Sequence, residues 1–154
     1  MTPFRIKKEA RQWFRGIEPE VSKQHPLFDM YYFCLVTGLS KGKKSPLTDR
    51  ESDELVDYYP GLYAEHRNSL NAWLIAAELR SMAIAMTERT QVHQHIRNLV
   101  DPDSPSDLNA AGVKEMNGYA AGGYDLLFDR FSEPPKSLGA FLVLFQRFIS
   151  DSTS

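Results

Sequence analysis

The stretch LYAEHRNSLNAWLIAAELRSMAIAM, from Leu62 to Met86, contains neither proline nor glycine. Its apolar residues recur at helical spacing throughout, and from Ala72 onward they cover several faces, which is typical of a helix buried on most sides. We therefore predict one helix of roughly 25 to 30 residues over this stretch. It would be the central helix of the fold.

Other helices are predicted on the N-terminal side of this stretch. Thr2 and Pro3 form a helix-start signal that predicts a first helix over 4–15. The apolar run 26–36 predicts a buried helix ending at Gly38, with a strand left open as the alternative. A capping box at Thr48-Asp49-Arg50-Glu51 predicts another helix, ending near Tyr59.

Three more helices are predicted after it. Val92, Ile96 and Leu99 mark the first of these, and the loop 101–107 separates it from a longer helix over 108–131. Three glycines weaken that longer helix at a cost of about 1 kcal/mol each, so either it breaks or another backbone packs close to it. Ser137 is expected to cap the last helix.

These segments predict an all-α fold, a compact bundle of about six or seven helices around a long central helix. A chain of 154 residues that is 42% apolar is long enough for one hydrophobic core. We therefore predict a single helical domain over 1–150, followed by a frayed tail over 151–154.

Charge is distributed unevenly along the chain. Residues 1–50 contain ten Lys or Arg and five Asp or Glu, whereas the remainder contains eight and fifteen. A basic third beside an acidic remainder suggests a polyanionic partner. The single cysteine, Cys34, excludes an intrachain disulfide and, together with the lack of a signal-like or membrane-spanning apolar run, favours a cytoplasmic location.

The basic residues of the first third are candidate nucleic-acid contacts. If 4–15 is helical, its cations form a strip over an arc of about 160° beside an apolar face that packs into the core. Such a strip can engage phosphates, although a solvated helix face and an acidic protein partner are the alternatives. The candidates are Arg5, Lys7, Lys8, Arg11 and Arg15 on the strip, with Lys41, Lys43, Lys44 and Arg50 after it.

Acidic residues are candidate metal ligands and catalytic groups. Asp49, Asp53 and Asp57 recur at four-residue spacing, so on a helix they share one face and could hold Mg²⁺ through Asp53 and Asp57. The alternative is a solvated acidic face. Glu78 lies among apolar residues, where a buried carboxylate needs a partner or a raised pKa, unless it faces a solvent window.

Two histidine-containing groups are weaker catalytic candidates. Glu65 and His66 are adjacent and could supply a general base or a ligand, although such pairs are commonplace at a helix start. The spacing of Arg89 and His95 resembles the catalytic motif of HEPN-type ribonucleases, which are compact helical bundles. Thr90 departs from the polar residue usual in that motif, and on a straight helix the two side chains lie about 120° apart. A zinc pair of His93 and His95 is disfavoured because these side chains point about 160° apart.

A wider resemblance involves the apolar run FDMYYFCL (28–35), the loop GLSKGKK (38–44) and the cap PLTDRE (46–51). With the chain length, these segments resemble SspB, the small nickase subunit of bacterial single-strand DNA phosphorothioation systems. The resemblance implies Mg²⁺-dependent nicking of double-stranded DNA alongside a desulfurase, an ATPase and a sulfur-transfer enzyme, in antiviral defence. It assigns no catalytic residues. A HEPN-like ribonuclease and a non-catalytic nucleic-acid-binding adaptor remain the alternative functions.

Overall fold

The computed structural model describes residues 2–21, 24–131 and 133–151. Within them the all-α prediction is confirmed. The helices are α1 (Lys8–Trp13), α2 (Pro26–Lys41), α3 (Arg67–Ser81), α4 (Arg89–Leu99), α5 (Ala110–Arg130) and α6 (Leu138–Ser150). Two strands, β1 (Arg5–Lys7) and β2 (Ser52–Glu54), form an antiparallel pair, and 3-10 turns span Arg15–Glu20, Asp49–Glu51 and Gly61–His66.

The long central helix is α5, and the prediction that 62–86 takes this place is wrong. That stretch begins with the 3-10 turn Gly61–His66, and α3 then covers only 15 residues. It ends before Ala83, whose φ of 57° is left-handed and cannot continue a right-handed helix. Helix α5 has 21 residues and is buried along most of its length.

Helices α2 and α5 approach each other closely because glycines line their contact. A Cβ on Gly123 would lie 1.7 Å from the carbonyl oxygen of Cys34, and one on Gly38 would lie 1.9 Å from that of Tyr119. The helix α5 is continuous through its glycines. The second of the two predicted readings, close packing by another backbone, is therefore confirmed.

The predicted first helix over 4–15 is wrong at its start, and Thr2 does not cap it. Residues Arg5–Lys7 form β1, paired with β2 so that Lys7 lies opposite Ser52, and α1 begins only at Lys8. Strand alternation buries Ile6, and the Asn117 side chain on α5 accepts a hydrogen bond from the Arg5 amide. Over three residues this alternation cannot be distinguished from one turn of an amphipathic helix.

The predicted helix from Thr48 to Tyr59 is also wrong. The capping box is present, since Thr48 and Glu51 make both of its hydrogen bonds, but the helix stops after one 3-10 turn. The chain then enters β2, where the hydroxyl of Ser52 accepts a hydrogen bond from Arg5 Nε at 2.8 Å. Tertiary pairing with β1 therefore overrides the local start signal.

The other helix predictions are confirmed with shifted ends. Helix α2 continues past Gly38 to the left-handed Gly42, α4 occupies the expected segment, and the Ser137 hydroxyl caps α6. Residues 152–154 of the predicted tail lie outside the described residues. No helix within the described ranges has the length and apolar character needed to cross a bilayer.

Candidate functional site

The predicted cationic strip is largely engaged by acidic side chains. Arg5 donates to Glu54 at 3.2 Å and also holds Ser52, so it fastens β2 to β1. Lys7 lies 3.3 Å from Asp125, and Arg11 donates to Asp53 at 2.8 Å. Because β1 interrupts the helix, these cations do not form the single helical face that the sequence predicts.

The remaining basic candidates divide into two groups. The ammonium of Lys41 donates to the backbone of Asp151, and that of Lys44 binds two carboxylates. In contrast, four exposed basic side chains form no ion pair with any acidic side chain of the described residues. These four cations are Lys8, Arg15, Lys43 and Arg50.

The predicted metal ligands Asp53 and Asp57 do not share a helix face. Asp53 lies in β2, where four residues of extended chain span about 13 Å instead of one helical turn. Asp53 pairs with Arg11, while Asp57 has one buried carboxylate oxygen without a hydrogen-bond partner in the described chain. Asp49 lies beside Arg5 at 3.5 Å.

The histidine-containing candidates are exposed, with the exception of His95. Glu65 and His66 end the 3-10 turn before α3 and are both exposed. Arg89 and His93 are exposed on α4, and His95 is half-buried on the same helix. The Nε2 atom of His95 is shielded from solvent and has no hydrogen-bond partner among the described residues.

Glu78 is the sequence-predicted catalytic candidate that the structure buries. Its side chain is 3% exposed, and its Oε1 atom accepts a hydrogen bond from the Lys44 ammonium at 2.8 Å. The same ammonium donates to Glu115, on α5. We call Glu78, Lys44 and Glu115 the lysine–carboxylate cluster.

The fold brings the cluster together from three separate elements. Glu78 lies one helical turn after Leu74 on the buried face of α3. Lys44 follows the left-handed Gly42, and the loop that carries it runs along α5. A Cβ on Gly122 would lie 2.3 Å from the Lys43 carbonyl oxygen, so the loop reaches its place only over a glycine surface. The amide of Ser45 then donates to the Gly118 carbonyl at 3.0 Å.

Burial and mutual contacts shift the pKa values of the three groups in different directions. Burial raises the pKa of Glu78, and Glu115 raises it further against the opposing effect of Lys44. Burial also favours the neutral form of Glu115, but hydrogen bonds with Glu78 and Lys44 outweigh it and lower the pKa of Glu115. For Lys44, burial is outweighed by its bonds to Glu115 and Glu78, so its pKa is raised. Lys44 is therefore a permanent cation, and Glu78 is the member that holds a proton more readily.

A cleft lined by both charged and apolar residues opens beside the cluster. Its volume is about 700 Å³, and both Lys44 and Glu115 line it. Arg5 and Lys114 add positive charge to its wall, and Glu54 adds negative charge. Glu78 is not among the lining residues and lies behind Lys44, so a ligand entering the cleft meets Lys44 and Glu115 first.

Glu78 and Glu115 are oxygen donors of the kind that hard divalent cations prefer, and the Lys44 ammonium binds both of them. Within the described ranges no three His, Cys, Asp or Glu side chains form a metal-ligating group. Mg²⁺ does not require such a cage, because it is commonly held by one or two carboxylates together with substrate phosphates and water. Of the two carboxylates, Glu115 lines the cleft and Glu78 does not.

The Lys44→Met substitution tests the electrostatics of the cluster. Glu78 and Glu115 then face each other without a counter-ion, and we expect the free energy of unfolding at about pH 8 to fall by about 2 kcal/mol. Loss of Lys44 raises the folded-state pKa of Glu78 further, so the penalty is present above that pKa and disappears as the pH falls and Glu78 is protonated. Urea denaturation at about pH 5 and about pH 8 measures the difference.

Lys43→Met is the matched control because, among the residues that the structure describes, no acidic side chain forms an ion pair with Lys43. We expect it to change stability by less than about 0.5 kcal/mol at either pH. An equal loss for Lys44→Met at both pH values would mean that Lys44 contributes by packing and not by charge.

Comparison of this chain with protein families, with curated proteins and with solved structures finds no match.

Proposed function

We propose that this chain is a Mg²⁺-dependent DNA-nicking enzyme whose centre is the lysine–carboxylate cluster. The observation that carries the proposal is a carboxylate, Glu78, buried beside a second carboxylate and a permanent cation at the wall of an open cleft. Perturbed titratable groups of this kind are concentrated at functional sites.

Each residue of the cluster has a role that follows from its position. Glu115 in the cleft wall and Glu78 behind it would hold Mg²⁺ through carboxylate oxygens. Bound there, Mg²⁺ would neutralise charge on the phosphate and increase the acidity of a water molecule. Lys44 remains protonated, so its Nζ donates a hydrogen bond to a non-bridging phosphate oxygen. Lys114, exposed at the rim of the cleft, adds attraction for the neighbouring phosphate.

Partners follow from the resemblance of residues 28–51 to SspB. On that basis the substrate is double-stranded DNA. The partners are a desulfurase, an ATPase and a sulfur-transfer enzyme, which act on the nicked strand. Lys44 belongs to the resembling segment, and its ammonium is the cation of the cluster. The cleft chemistry and the resemblance therefore support the same reaction class, cleavage of a phosphodiester.

Conversion of supercoiled plasmid to open circles tests the proposal. With Mg²⁺ and excess protein we expect open circles to accumulate, and with a chelator we expect none. Ca²⁺ is a useful comparison because it takes oxygen ligands but has looser geometry than Mg²⁺. Intact plasmid after long incubation with Mg²⁺ would count against the proposal, and a binding experiment would then separate an adaptor from an inactive enzyme.

DNA binding by the exposed cations can be measured separately from cleavage. Each phosphate contact contributes about −0.9 to the slope of log K against log salt for duplex DNA. We expect Lys8→Gln to make this slope less steep by about 0.9, because no described acidic group pairs with Lys8. Arg5→Gln should change stability more than the slope, since Arg5 fastens β2. Fluorescence anisotropy in EDTA at several salt concentrations measures the slope, and an unchanged slope for Lys8→Gln would remove Lys8 from the DNA contact.

A metal-independent ribonuclease is the second candidate function. The observation in its favour is the buried, unpartnered Nε2 atom of His95 on α4. Arg89 begins the same helix, so convergence of the two side chains would need a second subunit. RNA cleavage that persists in chelator and disappears in Arg89→Ala would establish this function and displace the nickase proposal.

A further inference from the structure

Lys44 reaches the lysine–carboxylate cluster over a surface formed by two neighbouring residues of α5. A Cβ on Gly118 would lie 3.1 Å from the Cγ atom of Lys44, so the glycine leaves room for the methylene stem. The Lys44 ammonium then lies over the ring of Tyr119, with 5.5 Å between its Nζ atom and the ring centroid. An ammonium within about 6 Å of an aromatic centroid is attracted by the negative face of the ring.

The ring of Tyr119 is a fixed part of the fold. The residue is buried, and its carbonyl oxygen would lie 1.9 Å from a Cβ on Gly38, so α2 packs directly against its backbone. Lysine, in contrast, has a flexible four-carbon stem that populates many rotamers in water. A fixed ring beneath the ammonium therefore favours those rotamers of Lys44 that bring the ammonium to its carboxylates.

We propose that Tyr119 is a positioning residue that holds the Lys44 ammonium against Glu78 and Glu115. The inference rests on the proposed function, because it concerns how the cluster presents Lys44 to a phosphate. An ammonium has three N–H donors, and two of them bind Glu78 and Glu115. Because Lys44 also lines the cleft, the third donor is available to a phosphate there.

Fluorination of the ring distinguishes this electrostatic contact from simple packing. Fluorine withdraws electron density from the ring face and so weakens its attraction for a cation, while it changes the shape of the ring very little. The variants carry phenylalanine with zero, one or three ring fluorines at position 119 of the full chain. The first of them, Tyr119→Phe, keeps the ring and removes only the hydroxyl.

The decisive experiment measures the unfolding equilibrium constant of these variants by urea denaturation, with Lys44 present and in Lys44→Met. We expect fluorination to raise the unfolding constant stepwise, by about threefold in total, only where Lys44 is present. Any effect of fluorine on packing alone appears in both backgrounds and cancels in the comparison. An equal increase in both backgrounds, or no increase in either, would overturn the inference. This measurement does not depend on nicking.

Plasmid nicking by the same proteins tests the consequence for the reaction. We expect Tyr119→Phe to nick within about twofold of the wild type, and three fluorines to lower kcat about threefold further, because the positioned rotamer of Lys44 is then less populated. The matched control places the same phenylalanines at position 124, since Lys7 Nζ lies 5.7 Å from the Tyr124 ring centroid but outside the cluster. These should nick at one common rate.

The two measurements separate failure of the inference from failure of the proposed function. A wild type that does not nick, combined with a Lys44-dependent loss of stability on fluorination, would refute the proposed function and support the positioning of Lys44 by Tyr119. A wild type that nicks, with a rate that fluorination at position 119 leaves unchanged, would show that Tyr119 does not position Lys44 for the reaction.

Discussion

The Glu78→Gln substitution is expected to reduce plasmid nicking about 1000-fold while leaving the protein folded. The amide has nearly the shape of the carboxylate, but it cannot supply a charged oxygen to Mg²⁺. Loss of one such interaction at a metal site removes about 4 kcal/mol of transition-state stabilisation, which corresponds to three powers of ten in rate. The rate of open-circle formation at saturating Mg²⁺ measures this effect.

The same variant should be no less stable than the wild type. Glu78 has a raised folded-state pKa, so the wild type loses stability as the pH rises from the ordinary pKa of a glutamate through the raised value. Glutamine does not titrate, and the stability of Glu78→Gln relative to the wild type should therefore increase with pH. Glu65→Gln is the control, since Glu65 is exposed and takes no part in the ion pairs of the cluster. Full nicking activity in Glu78→Gln would remove Glu78 from the catalytic centre.

Gly123→Ala is expected to cause the largest loss of stability, about 3 kcal/mol or more. The added Cβ would lie 1.7 Å from the carbonyl oxygen of Cys34 and 2.7 Å from the amide nitrogen of Gly38, both backbone atoms of α2. Neither atom can rotate away, so α2 and α5 must separate along the main contact of the fold. Guanidinium denaturation of the purified variant measures the loss.

Gly139→Ala is the matched control because it makes the same chemical change on a helix with open space around the site. Apart from the adjoining residues and the nearby backbone of its own helix, no atom lies within 4 Å of the Cβ that alanine would add. Alanine is the better helix former, so we expect this variant to gain about 0.5 to 1 kcal/mol. If Gly123→Ala were as stable as the wild type, the close approach of α2 and α5 would not be a feature of the folded protein.

The helical class follows from sequence periodicity, but the identity of the central helix does not. The stretch from Leu62 to Met86 contains no breaker, yet Ala83 takes a left-handed conformation and α3 stops before it. The glycines of α5 lead to the opposite error. Their low helix propensity predicts a weak helix, but packing against α2 stabilises it. The sequence indicates the free energy needed to place each residue in a helix, and tertiary contacts determine whether packing offsets it.

At the candidate site, too, some features follow from neighbouring residues in the sequence and others only from contacts between distant residues. Apolar neighbours are sufficient to predict that Glu78 is buried and needs a partner. Its partner Lys44 lies 34 residues earlier, and that lysine also binds Glu115, 71 residues after it. Gly118 and Gly122 are the only local sign of this arrangement, because they mark where the loop that carries Lys44 passes over α5. The four-residue spacing of Asp53 and Asp57 places both on one face only in a helix, and Asp53 lies in a strand.

We propose that Glu78, Lys44 and Glu115, and not Asp53 and Asp57, form the catalytic centre. The most direct test compares Glu115→Gln with Asp53→Asn in the plasmid-nicking assay at several Mg²⁺ concentrations. We predict that Glu115→Gln loses nicking at least 100-fold, corresponding to about 2.7 kcal/mol, whereas Asp53→Asn nicks as the wild type does. Retained nicking in Glu115→Gln together with loss in Asp53→Asn would move the catalytic centre from the cluster to Asp53.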